Sequence, residues 1–168
     1  MDFLEIEVYP AAVLKQKAAA IENIDDRIRQ LAEAMLETMY RAPGVGLAAP
    51  QVGESIRLVV ADPGSREEPE PIILVNPQIT AAEGRTAMQE GCLSVPGFTA
   101  EVDRSKRIAV RAWTLDEKEV ELELEDFPAI LLQHEIDHLE GILFIDRISR
   151  LKRNIYERKL KKGTLPED

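Results

Sequence analysis

The sequence predicts an α+β fold. Strand-like and helix-like segments cluster separately along the chain, so the alternation that builds a parallel doubly wound sheet is missing. KRIAVRAW and EVELELE alternate apolar and polar residues with LDEK between them, which is the pattern of an antiparallel hairpin. Three other stretches carry helical spacing or helix-boundary residues, one of them close to the C-terminus.

Residues 25–41, DDRIRQLAEAMLETMYR, space Ile28, Leu31, Met35 and Met39 along one helical face. Asn23 or Asp25 is the expected cap, and Pro43 and Gly44 end the helix. GVGLAAPQVG follows, expected as a loop of small residues. IRLVVA (56–61) and PIILVNP (71–77) are expected as buried strands, separated by the turn-forming DPGSREEPEP. After the hairpin, Asp126 or Pro128 opens a helix that Gly141 stops. ISRLKRNIYERKLKK is the final helix, capped by Ser149.

The chain has 168 residues, the size of one domain, and 45% are hydrophobic, enough to build a core. No run approaches the ~20 apolar residues of a membrane span. The opening MDFLEIEVYP lacks the basic and apolar regions of a signal peptide. The single cysteine, Cys92, rules out an intramolecular disulfide framework and fits a reducing cytoplasm. A net charge of −10 argues against a general nucleic-acid binder.

LLQHEIDHLEGILF (131–144) holds the only two histidines, His134 and His138, with Glu135 between them. Four residues on a helix turn through 400°, so both imidazoles leave nearly the same face and can reach one metal ion. The adjacent carboxylate can handle the protons of a water activated there. A catalytic metal wants a third protein ligand and one open position. The extended HExxHxxGxxH form of the motif would put a histidine at 144, where this chain has Phe144. The other protease pattern takes a glutamate some twenty or more residues downstream, where only Glu157, in a basic helix, and Glu167 and Asp168, in a tail expected to fray, remain. Upstream, Cys92 in QEGCLSVPG would complete a sulfur–nitrogen–nitrogen set. Two other readings stand beside it. A lone cytosolic cysteine is by default a small buried hydrophobe, and a cysteine beside a histidine can be a nucleophile.

With those residues assembled, the sequence closely resembles the peptide deformylases. Three blocks match that family's pattern in order and spacing: GVGLAAPQ (44–51), EGCLSVP (90–96) and QHEIDHLEG (133–141). The resemblance implies an α+β fold with antiparallel or mixed sheets around a central HExxH helix, and a single catalytic domain over 1–168. It implies a hydrolase that removes the N-terminal formyl group of nascent formylmethionyl peptides and releases formate. Cys92, His134 and His138 would be metal ligands, Glu135 the catalytic carboxylate, and Gln51 and the Leu93 amide the oxyanion donors. The metal would be one divalent ion, Fe²⁺ natively, with Zn²⁺, Ni²⁺ or Co²⁺ able to stand in. Val45, Met88, Phe127, Ile130 and Leu131 occupy the positions of the methionine pocket, and are equally suited to ordinary core. A small metallopeptidase and a metal-binding homologue without activity are the alternatives.

Gly44 and Gly46 allow backbone to approach a ligand closely, so the 44–46 segment is a candidate edge for adding the peptide as a strand. Glu90 and Arg104 are candidates for a buried ion pair holding the cysteine turn. Where many family members carry arginine shortly after the cysteine block, this chain has Thr99. Residues 147–162 hold eight Lys or Arg and one Glu. Such a run is usually a solvated face; the resemblance adds ribosome docking through Arg150, Lys152, Arg153, Lys159 and Lys162.

Overall fold

The computed structural model describes residues 3–163; residues 1–2 and the tail with Glu167 and Asp168 lie outside them. Helix α1 spans Asp26–Arg41. The Asp25 carboxylate accepts from the Ile28 N–H at 3.1 Å, giving a partner to one of the amides a helix start leaves bare. Ile28, Ala32, Met35 and Met39 are buried, while Leu31 is only partly so.

The small-residue segment after α1 is not simply a loop. Gly46–Ala48 is strand β1, followed by a 3-10 turn at Ala49–Val52. Its pairing with β2 (Leu58–Ala61) overrides the weak strand propensity of glycine and alanine. β3 runs from Ile72 to Glu83, well past the Asn76–Pro77 pair where the sequence suggested an end. Those two residues form a bulge: Asn76 has φ +51° and the register shifts between Val75 and Gln78. The Asn76 side chain clamps the N-terminal segment, accepting from Ile21 N–H at 2.8 Å and donating to Ile21 C=O at 2.9 Å.

A two-stranded sheet, β4 (Thr86–Cys92) and β5 (Val95–Arg104), was not expected as strands, because its alternation is broken by glycine and proline. Cys92 sits at its tip beside the Leu93–Ser94 turn. β6 (Arg107–Trp113) and β7 (Glu119–Glu125) form the expected hairpin. They complete a five-stranded antiparallel sheet in the order β1-β2-β3-β6-β7.

Helix α2 covers Phe127–Leu139. Asp126 stands at its start with φ +59°, but its side chain makes no cap; Pro128 in the first turn needs no amide partner. α3 covers Arg150–Lys162, and Ser149 Oγ accepts from Lys152 N–H at 3.2 Å as expected. β2 explains the layering. Its four residues are all buried, with Val59 and Ala61 packed in the cluster under α2 and Leu58 and Val60 in the cluster under α1. The five-stranded sheet therefore lies between the two helices. A third cluster joins β5 to the C-terminal segment through Val102, Phe144, Ile145 and Tyr156.

Gly141 ends α2 with φ +73°, and a Cβ there would stand 2.5 Å from the Lys15 carbonyl oxygen. A non-glycine residue in that conformation costs about 1–3 kcal/mol, and the collision adds to it. Gly141→Ala is expected to lower unfolding free energy by more than about 2 kcal/mol in urea denaturation; an unchanged midpoint would remove this account of the turn.

Candidate metal centre

Every residue of α2 from Ala129 to Leu139 is buried, including the five polar residues Gln133, His134, Glu135, Asp137 and His138. Buried polar groups need partners, and three of the five have them. Gln133 donates to Ser105 C=O at 2.8 Å and accepts from Ser105 N–H at 3.0 Å, tying α2 to the β5–β6 connection. Asp137 accepts from Arg104 at 2.7 Å and from Arg147 Nη2 at 2.7 Å. His134 Nδ1 faces Glu90 Oε1 at 3.0 Å. Among the described residues, Glu135 Oε1 and His138 Nδ1 stay without a hydrogen-bond partner.

The His134 bond to Glu90 directs the opposite ring nitrogen toward the cysteine turn. His134 Nε2 and His138 Nε2 stand 3.3 Å apart, and Cys92 Sγ stands 3.4 Å from His138 Nε2. The donor atoms of all three residues lie within 4.8 Å of one another. Tetrahedral bonding with metal–nitrogen near 2.0–2.1 Å and metal–sulfur near 2.3 Å gives edges of about 3.3–3.6 Å, so the 3.3 Å and 3.4 Å separations fit one ion. The donor set fits as well: three lone-pair atoms converge, an arrangement a shared cation stabilises.

Charge at the site has the same sense. Burial opposes protonation of His134, but its bonds to Cys92 and Glu90 raise its pKa well above the ordinary value. The surroundings favour positive charge at this point, which a metal ion supplies in place of the proton. Burial, with the His134 and Arg104 charges nearby, holds His138 well below its ordinary pKa, in the neutral form that binds metals. Burial pushes the Glu135 carboxyl up to about 7, against the nearby His134 charge, so it can both take and return a proton near neutrality.

Glu90 connects the two halves. It receives Arg104 through two bonds of 2.8 Å, and Arg104 reaches on to Asp137. Burial alone would raise the Glu90 carboxyl, but the Arg104 and His134 bonds outweigh it and hold it below the usual value. The expected Glu90–Arg104 pair is therefore present and buried, and it extends to Asp137 and Arg147, which sequence reasoning missed. Asp137 carried one available signal: a carboxylate on a helix that is buried needs a cation.

A cleft of about 680 Å³ opens over the cluster. Gln51, Cys92, Leu93, His134 and Glu135 line its floor, and His138 lies beneath at 1% exposure. Gln51 is buried with its amide orientation set: Oε1 accepts from Ala48 N–H at 2.9 Å, and Nε2 donates to Ser94 Oγ at 3.1 Å and lies 3.5 Å from Cys92 Sγ. Gly44, Val45 and Gly46 form one rim. A Cβ on Gly46 would come within 2.9 Å of Leu131 Cδ1 and collide with the Glu135 carboxylate, so the backbone there passes directly against the acid. Met88, Phe127, Ile130 and Leu131 also line the cleft; Val45 and Met88 are largely exposed, whereas Ile130 and Leu131 are buried. Thr99 lines it too, together with Val95, Pro96 and Phe98, which sequence reasoning did not single out.

The family model for polypeptide deformylase matches residues 3–154. A peptide deformylase of Syntrophobacter fumaroxidans is 49% identical over 163 residues, 96% of each chain. One from Thermodesulfovibrio yellowstonii is 49% identical over 162 residues, covering 96% of this chain and 98% of the relative. The crystal structure of a peptide deformylase from Legionella pneumophila superposes with a TM-score of 0.91 at 42% identity, over 97% of this chain and 96% of that one. This chain belongs to the polypeptide deformylase family. Deformylases are hydrolases that remove the N-terminal formyl group from nascent peptides, so the metallopeptidase alternative falls away. The structure of an Ehrlichia chaffeensis deformylase in complex with actinonin is also similar, with a TM-score of 0.90 at 36% identity. Among the described residues, no helix is long and apolar enough to cross a membrane.

Removing one partner from a buried ion pair costs about 3–5 kcal/mol. Arg104→Leu is expected to lose stability on that scale and to lower the metal content of the purified protein. Unchanged metal content and unchanged denaturation would show that the Glu90 network does not hold the cluster.

Proposed function

We propose that Cys92, His134 and His138 hold one divalent metal ion, natively Fe²⁺, with Zn²⁺, Ni²⁺ or Co²⁺ able to replace it, and that Glu135 is the catalytic carboxylate of deformylation. The observation that carries this reading is the convergence of three donor atoms beside a buried, unpartnered carboxylate. Held by these three residues, such an ion would supply Lewis-acid chemistry, lowering the pKa of a water toward neutrality and polarising the formyl carbonyl. Glu135 accepts the water's proton and returns it to the departing amine, a task suited to a carboxyl with a pKa of about 7. The Gln51 amide and the Leu93 N–H donate to the formyl oxygen as negative charge grows on it; losing one such donor costs about 2.7–4 kcal/mol of barrier. The fixed bonds of Gln51 support that role, because a preset amide does not reorganise during reaction.

The formylmethionyl peptide enters as a strand beside β1, an edge strand that borders the cleft at Gly46, with Gly44 and Val45 just before it. Val45, Met88, Phe127, Ile130 and Leu131 receive the methionine side chain, which bends to fit an irregular apolar surface. Residues 1–168 act as one catalytic domain in the cytoplasm. α3 docks on the ribosome through its basic outer face, where Arg150, Lys152, Lys159 and Lys162 are exposed and Leu151 and Ile155 present apolar surface. Arg153 contributes less to that face, being drawn inward to Asp146 at 2.8 Å.

Glu135→Ala is expected to retain the metal and to lower formate release from formyl-Met-Ala-Ser by at least about 100-fold. Turnover near the unsubstituted level with metal retained would overturn the assignment. Deleting residues 150–168 is expected to abolish a salt-sensitive co-sedimentation with ribosomes; co-sedimentation indifferent to both salt and the deletion would overturn the docking role.

A further inference from the structure

β4 and β5 pair at Glu90 with Ala100 and at Cys92 with Val95, with a register shift between. Four residues, Pro96 to Thr99, therefore stand opposite Gly91 alone. This stretch bulges from the ladder as a lip over the cleft, and Pro96, Gly97, Phe98 and Thr99 all line it. Between its two paired ends the ladder does not fix the lip, so side-chain packing sets its position.

Phe98 supplies that packing. Its ring stands 4.8 Å from the Tyr156 ring of α3 at 39°, and 6.2 Å from Phe144 at 24°. These are the offset and tilted arrangements that aromatic pairs favour. Phe144 in turn stacks at 6.2 Å on the His134 imidazole. Tyr156 is fully buried, and its hydroxyl has no hydrogen-bond partner among the described residues. A buried orphan hydroxyl carries a cost, so Tyr156 serves this position through its ring. Phe98 is not itself a core residue. Val95, Phe144 and Tyr156 around it are at most 1% exposed, whereas Phe98 is only partly buried and turns its remaining face to the cleft. The neighbouring lip residue is Thr99, so no charge competes at this wall.

We propose that Phe98 is a specificity-determining residue whose exposed face receives an apolar side chain of the peptide, one or two residues beyond the formylated methionine, and that Tyr156 is the positioning residue that holds it there. This rests on the reading of the cleft as the peptide site. It assigns to α3 a second duty inside the molecule: its buried tyrosine braces the wall along which the substrate lies.

The test compares steady-state kinetics of the full-length, metal-loaded protein on formyl-Met-Ala-Ser, formyl-Met-Leu-Ser and formyl-Met-Ala-Leu. One leucine peptide is expected to be preferred by about tenfold in kcat/KM, mainly through KM, the scale of a modest apolar contact. Phe98→Ala is expected to erase that preference, the loss falling on KM for the preferred leucine peptide. Tyr156→Phe, which removes only the orphan hydroxyl, is expected to keep the preference. Tyr156→Leu retains apolar volume but not the ring, and is expected to raise KM for the preferred peptide with kcat unchanged. No preference in the unsubstituted protein, or one that survives Phe98→Ala, overturns the subsite. An unchanged KM in Tyr156→Leu overturns the positioning role. Failure of the underlying site reading shows separately, as turnover that survives Glu135→Ala.

Discussion

Glu90 takes hydrogen bonds from both sides, from Arg104 across its own hairpin and from the His134 ring on α2. That one carboxylate locks the cysteine hairpin to the histidine helix. Cys92 and His134 come from elements separated by the whole β5–β7 excursion, and their donor atoms must meet within ångströms. Helix geometry by itself aligns the two histidines. Only a cross-link between the elements can align the cysteine with them, and the Glu90 bond also leaves the His134 nitrogen facing the cluster available. The remaining contacts, from Arg104 to Asp137 and from Asp137 to Arg147, keep that cross-link from carrying an unbalanced charge in the interior.

The same economy shapes α2. A helix buried along its whole length would ordinarily be apolar throughout, yet this one carries five polar side chains. Those facing Ser105, Glu90 and Arg104 are satisfied by structure. Glu135 Oε1 is left without a partner beside the cleft, and the Nε2 atoms of His134 and His138 turn toward the cysteine. Function is concentrated where the hydrogen-bond accounting fails to close within the protein.

Much of this was visible in the chain alone, for physical reasons that differ by region. α1 and α3 were readable because their caps, Asp25 and Ser149, act within three residues of where they stand. The β6–β7 hairpin was readable because one of its faces is solvated, which leaves the alternating pattern intact. The cysteine hairpin was not, because glycine, proline and a register shift at Gly91 break the period on which strand recognition relies. Asn76–Pro77 misled for the related reason that residues marking turns also build bulges inside strands. At the site, chemistry and spacing suggested the proposed ligands, with Cys92 weighed against two alternatives, and the structure brings their donor atoms together. Asp137, Ser94 and Phe98 were missed because their roles depend on neighbours distant in sequence, which no local pattern records.

The central claim is that one sulfur and two imidazoles share a single ion. X-ray absorption at the metal edge of the zinc-loaded protein tests it directly. The predicted inner shell contains one sulfur near 2.3 Å and two imidazole nitrogens near 2.0–2.1 Å, with a light atom completing it. A shell of nitrogen and oxygen alone, with no sulfur at bonding distance, would contradict it.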